Sequence, residues 1–286
     1  MNKIFNDKTV SRILAGPADW RLIYSGCRIA PVARPSAAKK AWLKTNTHHH
    51  ASMDIMIALR GKGWYGLDGK VFTCEPGTIF VFQPRCRHPC GYPSVQTDFD
   101  HLWIGILQDV VFARLISGRS GKISYANEMN VNLTLKQCGL TRPLFNYDEP
   151  DWACELKFTS IIAGLLAGIV ASERRYEKEG GSNRQTLLAG KIDAICRHIS
   201  DTGGNDAGLE HLAHLAGYSK FHFLRIFKEH TGETVHEYVD KCRVSKAQEL
   251  LKAGLNMKEI AARLNFASAS SFSHWQRRRM RQGTVE

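Results

Sequence analysis

The sequence predicts an α+β chain: a strand-rich N-terminal half that reads as a small barrel or sandwich, a helical middle, and an all-helical C-terminal domain. Three observations carry this. Short apolar runs alternate with turn signals up to about residue 107. An apolar stripe with 3,4 spacing runs through Ile161, Ile162, Leu165, Leu166, Ile169 and Val170. Beyond Gly180-Gly181-Ser182-Asn183, two pairs of short helices each combine an apolar back with a polar or basic front.

The strands come first. Apolar runs at residues 53–59, 78–82 and 102–107 are separated by Gly61-Lys62-Gly63, Leu67-Asp68-Gly69 and Glu75-Pro76-Gly77. Asp-Gly between apolar runs is a strong hairpin signal, because both turn residues tolerate positive φ. Closely spaced short strands suggest a barrel or sandwich.

The middle turns helical. Asp151, after Pro150, is placed to cap a helix running to about Glu177. Its apolar stripe has two readings, packing on its own sheet and contact with a second chain, and both can hold at once. The Gly-Gly-Ser-Asn break is the natural linker.

The balance of 39 Lys and Arg against 27 Asp and Glu gives a formal net charge of +12, which favours an anionic partner such as nucleic acid. Both halves share that excess, so local patterning must locate the part that would meet such a partner. The 8 cysteines include no CxxC pair, which argues against a zinc ribbon and for reduced thiols in a cytoplasm. Residues 1–10 lack an apolar signal core, and the run 161–170 is too short to span a bilayer. The sequence therefore points to no membrane. Nothing in it forms a phosphate loop or a dinucleotide fingerprint.

Residues 209–230 read as two short helices around a tight turn. Leu212, Ala213, Leu215 and Ala216 pack the first, Gly217 ends it, and Ser219 caps the second. Phe223, Ile226 and Phe227 form the buried side of that second helix. Ser219, Lys220, Phe221, Leu224, Arg225 and Lys228 are the candidate DNA contacts, a face suited to phosphates and base edges. A similar pair follows. Ile260, Ala261, Leu264 and Phe266 pack its first helix, Ser268 caps its second, and Phe272 and Trp275 are buried. The outer face holds Ala269, Ser270, Ser273, His274 and Arg277, and Arg278, Arg279 and Arg281 add charge for phosphate contacts. A continuous helix over 235–253, about 30 Å long at 1.5 Å per residue, separates the pairs. One turn of B-DNA is about 34 Å, so this spacer suits two recognition helices in successive major grooves.

Leu212-Ala213, Gly217-Tyr218-Ser219, Phe227-Lys228, Gly232, Tyr238-Val239, Arg243, Ala247, Leu250-Leu251, Glu259-Ile260-Ala261, Phe266 and Ser270-Ser271-Phe272-Ser273 together resemble the DNA-binding domain of the AraC family of bacterial regulators. The likeness covers about the last 80 residues. The chain departs from it at Asn265, where the family usually has Gly. It departs again at His274 and Gln276, where Arg then Phe is usual, and over 280–286, where the usual tail is missing.

In the N-terminal half, His48, His50, Asp54 and Gly61, with Pro76-Gly77, Pro84 and His88, follow the spacing of a cupin's two metal motifs. His48, His50, Asp54 and His88 are thus an alternative metal set, and a metal-dependent cupin enzyme is the competing function class. The stretch Arg60-Gly61-Lys62-Gly63, Phe72, Cys74, Pro76-Gly77, Phe82, Pro84, His88 and His101-x-Trp103 resembles the sensor domain of the family's arabinose-responsive member. The resemblance implies a cupin-like sensor that binds its effector without metal. His48, His50, His88, His101 and Trp103 are its candidate effector contacts, and a sugar or polyol its ligand. Trp103 reads equally as core.

The expected organisation is a cupin-like ligand-sensing domain over 1–108, a helical dimerisation segment over 109–179, a linker over 180–184, and a double helix-turn-helix domain over 185–286. What the resemblance implies is a cytoplasmic, homodimeric transcriptional regulator, an activator rather than an enzyme. It needs no cofactor, and it meets double-stranded promoter DNA, a small-molecule effector and RNA polymerase.

Overall fold

The computed structural model describes residues 8–49, 52–89, 91–93, 97–107, 109–127, 132–140, 151–178, 184–205, 207–216 and 218–282. His50, Gly217 and most of the expected linker lie outside these. The chain divides into two compact units, Met1–Lys191 and Ile192–Glu286.

Unit one opens with α1 (Lys8–Ala15), β1 (Arg21–Ile23), α2 (Ala37–Asn46) and β2 (Thr47–His48). Strands β3 (Met53–Arg60), β4 (Gly63–Leu67), β5 (Lys70–Cys74), β6 (Thr78–Phe82) and β7 (His88–Pro89) follow, then β8 (Phe99–Leu107), β9 (Val110–Arg119), β10 (Lys122–Asn127) and β11 (Asn132–Thr134). Helix α3 (Asp151–Lys178) ends the unit's regular structure before α4 (Arg184–Thr202), on which the division falls. One seven-stranded sheet runs β1-β6-β3-β8-β9-β10, with β11 paired to β9, and β2–β7 and β4–β5 form separate ribbons. The α+β class expected from the sequence holds. The expected barrel is open, because among the described residues β4 and β5 pair with each other and not with the main sheet.

Period-2 alternation explains the layers. Met53, Ile55, Ile57 and Leu59 of β3 and Leu102, Ile104 and Ile106 of β8 point to one face. There they meet Phe158, Ile161, Ile162, Leu165, Leu166 and Ile169 of α3 in one core. The stripe on α3 therefore packs on its own sheet. Trp152–Arg175 is long and apolar enough to cross a membrane by length and composition, a property the shorter run at 161–170 concealed. The opposite sheet face carries Met56, Phe80, Phe82, Phe99 and Trp103, and the β4–β5 ribbon covers it with Tyr65, Leu67, Phe72 and Cys74. The ribbon turns at Asp68 and Gly69, with φ of 50° and 72°, the two positive values a tight hairpin needs.

Unit two is helical: α5 (Leu209–Ala216), α6 (Lys220–Thr231), α7 (Val235–Lys252), α8 (Met257–Arg263) and α9 (Ala269–Gln282). Reciprocal capping boxes start α7 (Thr234 with Glu237) and α8 (Asn256 with Glu259). Leu212, Ala213, Leu215, Ala216, Phe223, Ile226 and Phe227 are buried, as are Ile260, Ala261, Leu264, Phe272 and Trp275. Each pair of short helices thus has the apolar back its sequence prescribes.

Candidate nucleic-acid interface and effector cavity

The first candidate recognition helix is α6. Ser219 caps it by accepting from the His222 backbone N–H at 3.4 Å, and Gly232 closes it at φ 77°. With Phe223, Ile226 and Phe227 inward, helical periodicity turns Lys220, Phe221, Arg225 and Lys228 to solvent, and Leu224 is half-buried. Phe221 is 82% exposed, an apolar ring with nothing of its own unit to cover it. Arg225 lies 3.8 Å from Glu229 and Lys220 3.7 Å from Glu210. Both pairs are long and solvated, so they contribute little and yield readily to a phosphate. His222, which the pattern had not singled out, is also exposed and meets Tyr218 edge-on at 4.7 Å. Its signal was a basic residue type at the third helical position.

The second is α9. Ser268 accepts from Ser271 N at 3.1 Å, and Ser271 Oγ accepts from Ser268 N at 3.0 Å, so the expected cap is reciprocal. Ser270, His274, Arg277 and Arg278 are exposed, and Ala269 and Ser273 half-buried. Arg279 differs from its neighbours. It is ion-paired with Asp240 of α7, which also accepts from Trp275 Nε1 at 3.2 Å. Of the arginine run, Arg279 is therefore a packing residue rather than a free phosphate contact; the side chain of Arg281 lies outside the described ones. Asn265, at the family's glycine position, has φ 59°. Asparagine is among the few residues that adopt the left-handed conformation at modest cost, so the departure keeps the backbone. Arg243 of α7 stacks over Phe266 at 5.4 Å and donates to Gly204 O at 3.2 Å. Helix α7, 18 residues and about 27 Å long, thus holds the second pair as well as spacing it.

Unit one contains a cavity of about 490 Å³, within the range of small-molecule sites. Helix α2 forms one wall. Ser36 caps it, and its single buried side chain, Leu43, seats against Gly66 of the ribbon, where a Cβ would collide with it. That seating brings Lys39 and Trp42 to the cavity beside Trp64. The two indoles meet edge-on at 5.4 Å, and Lys39 Nζ lies 5.3 Å from the Trp64 ring centre. Lys62, Thr97, Tyr92, Phe99 and His101 line the other side.

The polar groups at the floor contact one another. The indole of Trp103 can only donate, and it gives its proton to Tyr92 Oη at 2.6 Å. Tyr92 Oη also lies 3.0 Å from His101 Nδ1, and His101 Nε2 lies 3.8 Å from Cys74 Sγ. Burial pushes His101 down to about 3 and the Cys74 thiol up to about 12, so both stay neutral.

Of the five effector candidates, His101 lines the cavity. Trp103 is buried, stacked on Phe82 at 5.6 Å and joined to the lining through Tyr92. His48 and His88 sit opposite each other in the β2–β7 ribbon with ring centres 4.5 Å apart. His88 stacks on Phe82 at 4.6 Å and its Nδ1 donates to Cys86 O at 3.1 Å. His50 lies outside the described residues. Asp54 is buried on β3, opposite Phe82 in the β3–β6 register. Among the described residues no three His, Cys, Asp or Glu side chains are grouped to hold a metal ion.

The comparisons with known proteins match this division. A family model described as a helix-turn-helix domain matches residues 212–282, and one described as an AraC-like ligand binding domain matches residues 31–129. The HTH-type transcriptional regulator YbfI of Bacillus subtilis is 22% identical over 229 residues, covering 79% of this chain and 81% of its own. The HTH-type transcriptional activator Btr of the same species is 31% identical over 233 residues, 78% of this chain but 41% of its own. The HTH-type transcriptional activator RhaS of Salmonella paratyphi B is 24% identical over 253 residues, 82% of this chain and 87% of its own. No solved structure matches the chain at a significant level.

Proposed function

Since the chain belongs to the AraC family, as an effector-controlled, DNA-binding transcriptional regulator, we propose that it activates a promoter by laying α6 and α9 into successive major grooves. The observation that carries this reading is the pairing of two capped helices, each with a buried aromatic back and an exposed polar or basic front, across the stiff α7. Lys220, Arg225, Lys228, Arg277 and Arg278 meet phosphates, and Phe221, Ser270 and His274 face base edges. The chain acts in the cytoplasm on double-stranded promoter DNA and RNA polymerase. It is a regulator rather than an enzyme, as the names of the relatives above support.

The effector occupies the cavity beside α2, and its binding biases the arrangement of the two DNA-binding domains of a dimer, with a coupling of about 1–3 kcal/mol. The sensing part then runs past the expected boundary at 108, because β9, β10 and β11 continue its sheet to residue 134; the helical segment that follows ends at 179, with the linker at 180–184 and the DNA-binding domain at 185–286. Two chains pair through the outer face of α3, where Trp152 and Leu156 are 69% and 61% exposed and Ala163, Ala167 and Ala171 continue an exposed, small-residue side. Leu156→Lys is expected to give a monomer in sedimentation, and a dimer unchanged by it counts against this face.

The test of the DNA reading is binding to a labelled fragment of the chain's own upstream DNA, with random DNA as competitor. Discrete binding that survives the competitor and is lost in Arg225→Ala supports it. Equal, salt-sensitive binding to any DNA, indifferent to Arg225, overturns it.

A further inference from the structure

We infer that the effector is a small organic anion with a planar apolar body, a carboxylate borne on an aromatic ring system, gripped by Lys39 and Lys62 against Trp42 and Trp64. This rests on the reading that the cavity is the effector site.

The lining decides between ligand classes. A sugar presents hydroxyl protons all round and is held where side-chain carboxylates or carboxamides accept them. Among the described residues none of either kind lines this cavity. The hydroxyls and ring nitrogens that do are engaged with the protein itself. Ser36 Oγ accepts from Lys39 N, Thr97 Oγ1 donates to Lys62 O at 2.7 Å, and Tyr92 and His101 form the relay from Trp103 to Cys74. A floor of neutral groups that satisfy one another offers a ligand a largely apolar surface.

The walls supply aromatic faces and edges, from Trp42, Trp64 and Phe99. The mouth supplies charge. Lys39 and Lys62 are both cationic, and among the described residues neither is ion-paired with a carboxylate. Lys39 instead rests over the Trp64 face, an interaction worth little at a wet site and readily exchanged for an anion. Two ammonium groups beside low-dielectric walls focus a positive potential into the cavity. Complementarity then calls for one negative head at the mouth and a flat ring against the aromatic wall.

The experiment titrates the full-length protein with 2-naphthoate and with its neutral isostere 2-naphthamide, by calorimetry and by thermal shift, with L-arabinose and D-sorbitol alongside. The expected result is that naphthoate binds about tenfold more tightly than the amide, the scale of two half-exposed ion pairs. The double variant K39Q/K62Q is expected to erase that ratio while still binding the amide, which doubles as its control for folding. Lys39→Arg, which keeps the charge, retains the preference. Equal affinity for acid and amide overturns the anion and leaves the cavity reading standing. So does a sugar or polyol that binds, is lost in Trp42→Ala, and outcompetes naphthoate. Binding of no probe by any readout overturns the inference and the cavity reading together.

Discussion

Asp240 accepts the indole proton of Trp275 at 3.2 Å and so joins the middle of α7 to the buried face of α9. The same carboxylate is ion-paired with Arg279 one helical turn further along. One acid on the spacer thus receives two partners from the second candidate recognition helix. Asp240→Ala removes the acceptor of the Trp275 N–H and the ion pair with Arg279, at a cost of about 1–3 kcal/mol. The measurable outcome is a lower melting temperature together with loss of DNase I protection over the half-site read by α9, while the half-site read by α6 stays protected. Protection that disappears evenly from both would contradict it.

Asn265 offers a test in the opposite direction. Its φ of 59° is one that glycine adopts freely and alanine does not. Asn265→Gly should hold or raise stability, and Asn265→Ala should lower it by about 1 kcal/mol in chemical denaturation. An alanine variant as stable as the parent removes the conformational explanation.

The two kinds of DNA contact on α6 should separate in salt titrations. Lys228→Ala weakens every sequence alike and reduces the slope of log K against log salt by about 0.9. Phe221→Ala leaves that slope unchanged and relaxes preference at one base pair, as expected for an apolar ring against a thymine methyl group. Selection of binding sites from a randomised operator reads the difference. An unaltered site preference in Phe221→Ala would place that ring outside the groove.

Stability should fall in mild acid. His101 sits at about 3 in the folded chain because burial disfavours its charge, against about 6.5 when unfolded. Below pH 6.5 the unfolded chain gains a proton that the folded chain refuses, so the loss grows by about 1.4 kcal/mol per pH unit down to about 3. Above 6.5 this residue contributes no pH dependence. Thermal unfolding at pH 7.5 and 5.5 measures the slope, and His101→Gln should flatten it. An unchanged slope in that variant assigns the acid sensitivity to other groups.

Much of this was legible in the sequence, for reasons that differ along the chain. The helix pairs of unit two were readable because caps, buried positions and spacer all fall within local windows. The apolar strands β3 and β6 were equally plain. The start of β8 was not, since Asp100 interrupts the apolar run; it is buried because Arg119 meets both its oxygens, at 2.7 and 2.8 Å, from a strand 19 residues away. The cavity was less legible. His48, His88 and Trp103 looked like ligand contacts by type and spacing, but tertiary packing gives them to one another and to Phe82. The cavity depends on α2 instead. Ser36 caps that helix, but no local pattern announces that Leu43 will dock at Gly66 and carry Lys39 and Trp42 with it.

Helix α7 is anchored at its start by a capping box and along its length by Asp240 and Arg243, so it behaves as a fixed gear between the two reading heads. Adding one residue to it would turn α9 by about 100° and advance it about 1.5 Å. That swings the reading face off the groove rather than sliding it along. Under the proposed mode of binding, the operator's internal phasing is therefore written into the residue count of α7. Such a spacer tolerates substitution on its wet side far better than insertion or deletion, and a related chain reading differently phased half-sites would need a different helix length, not different contacts.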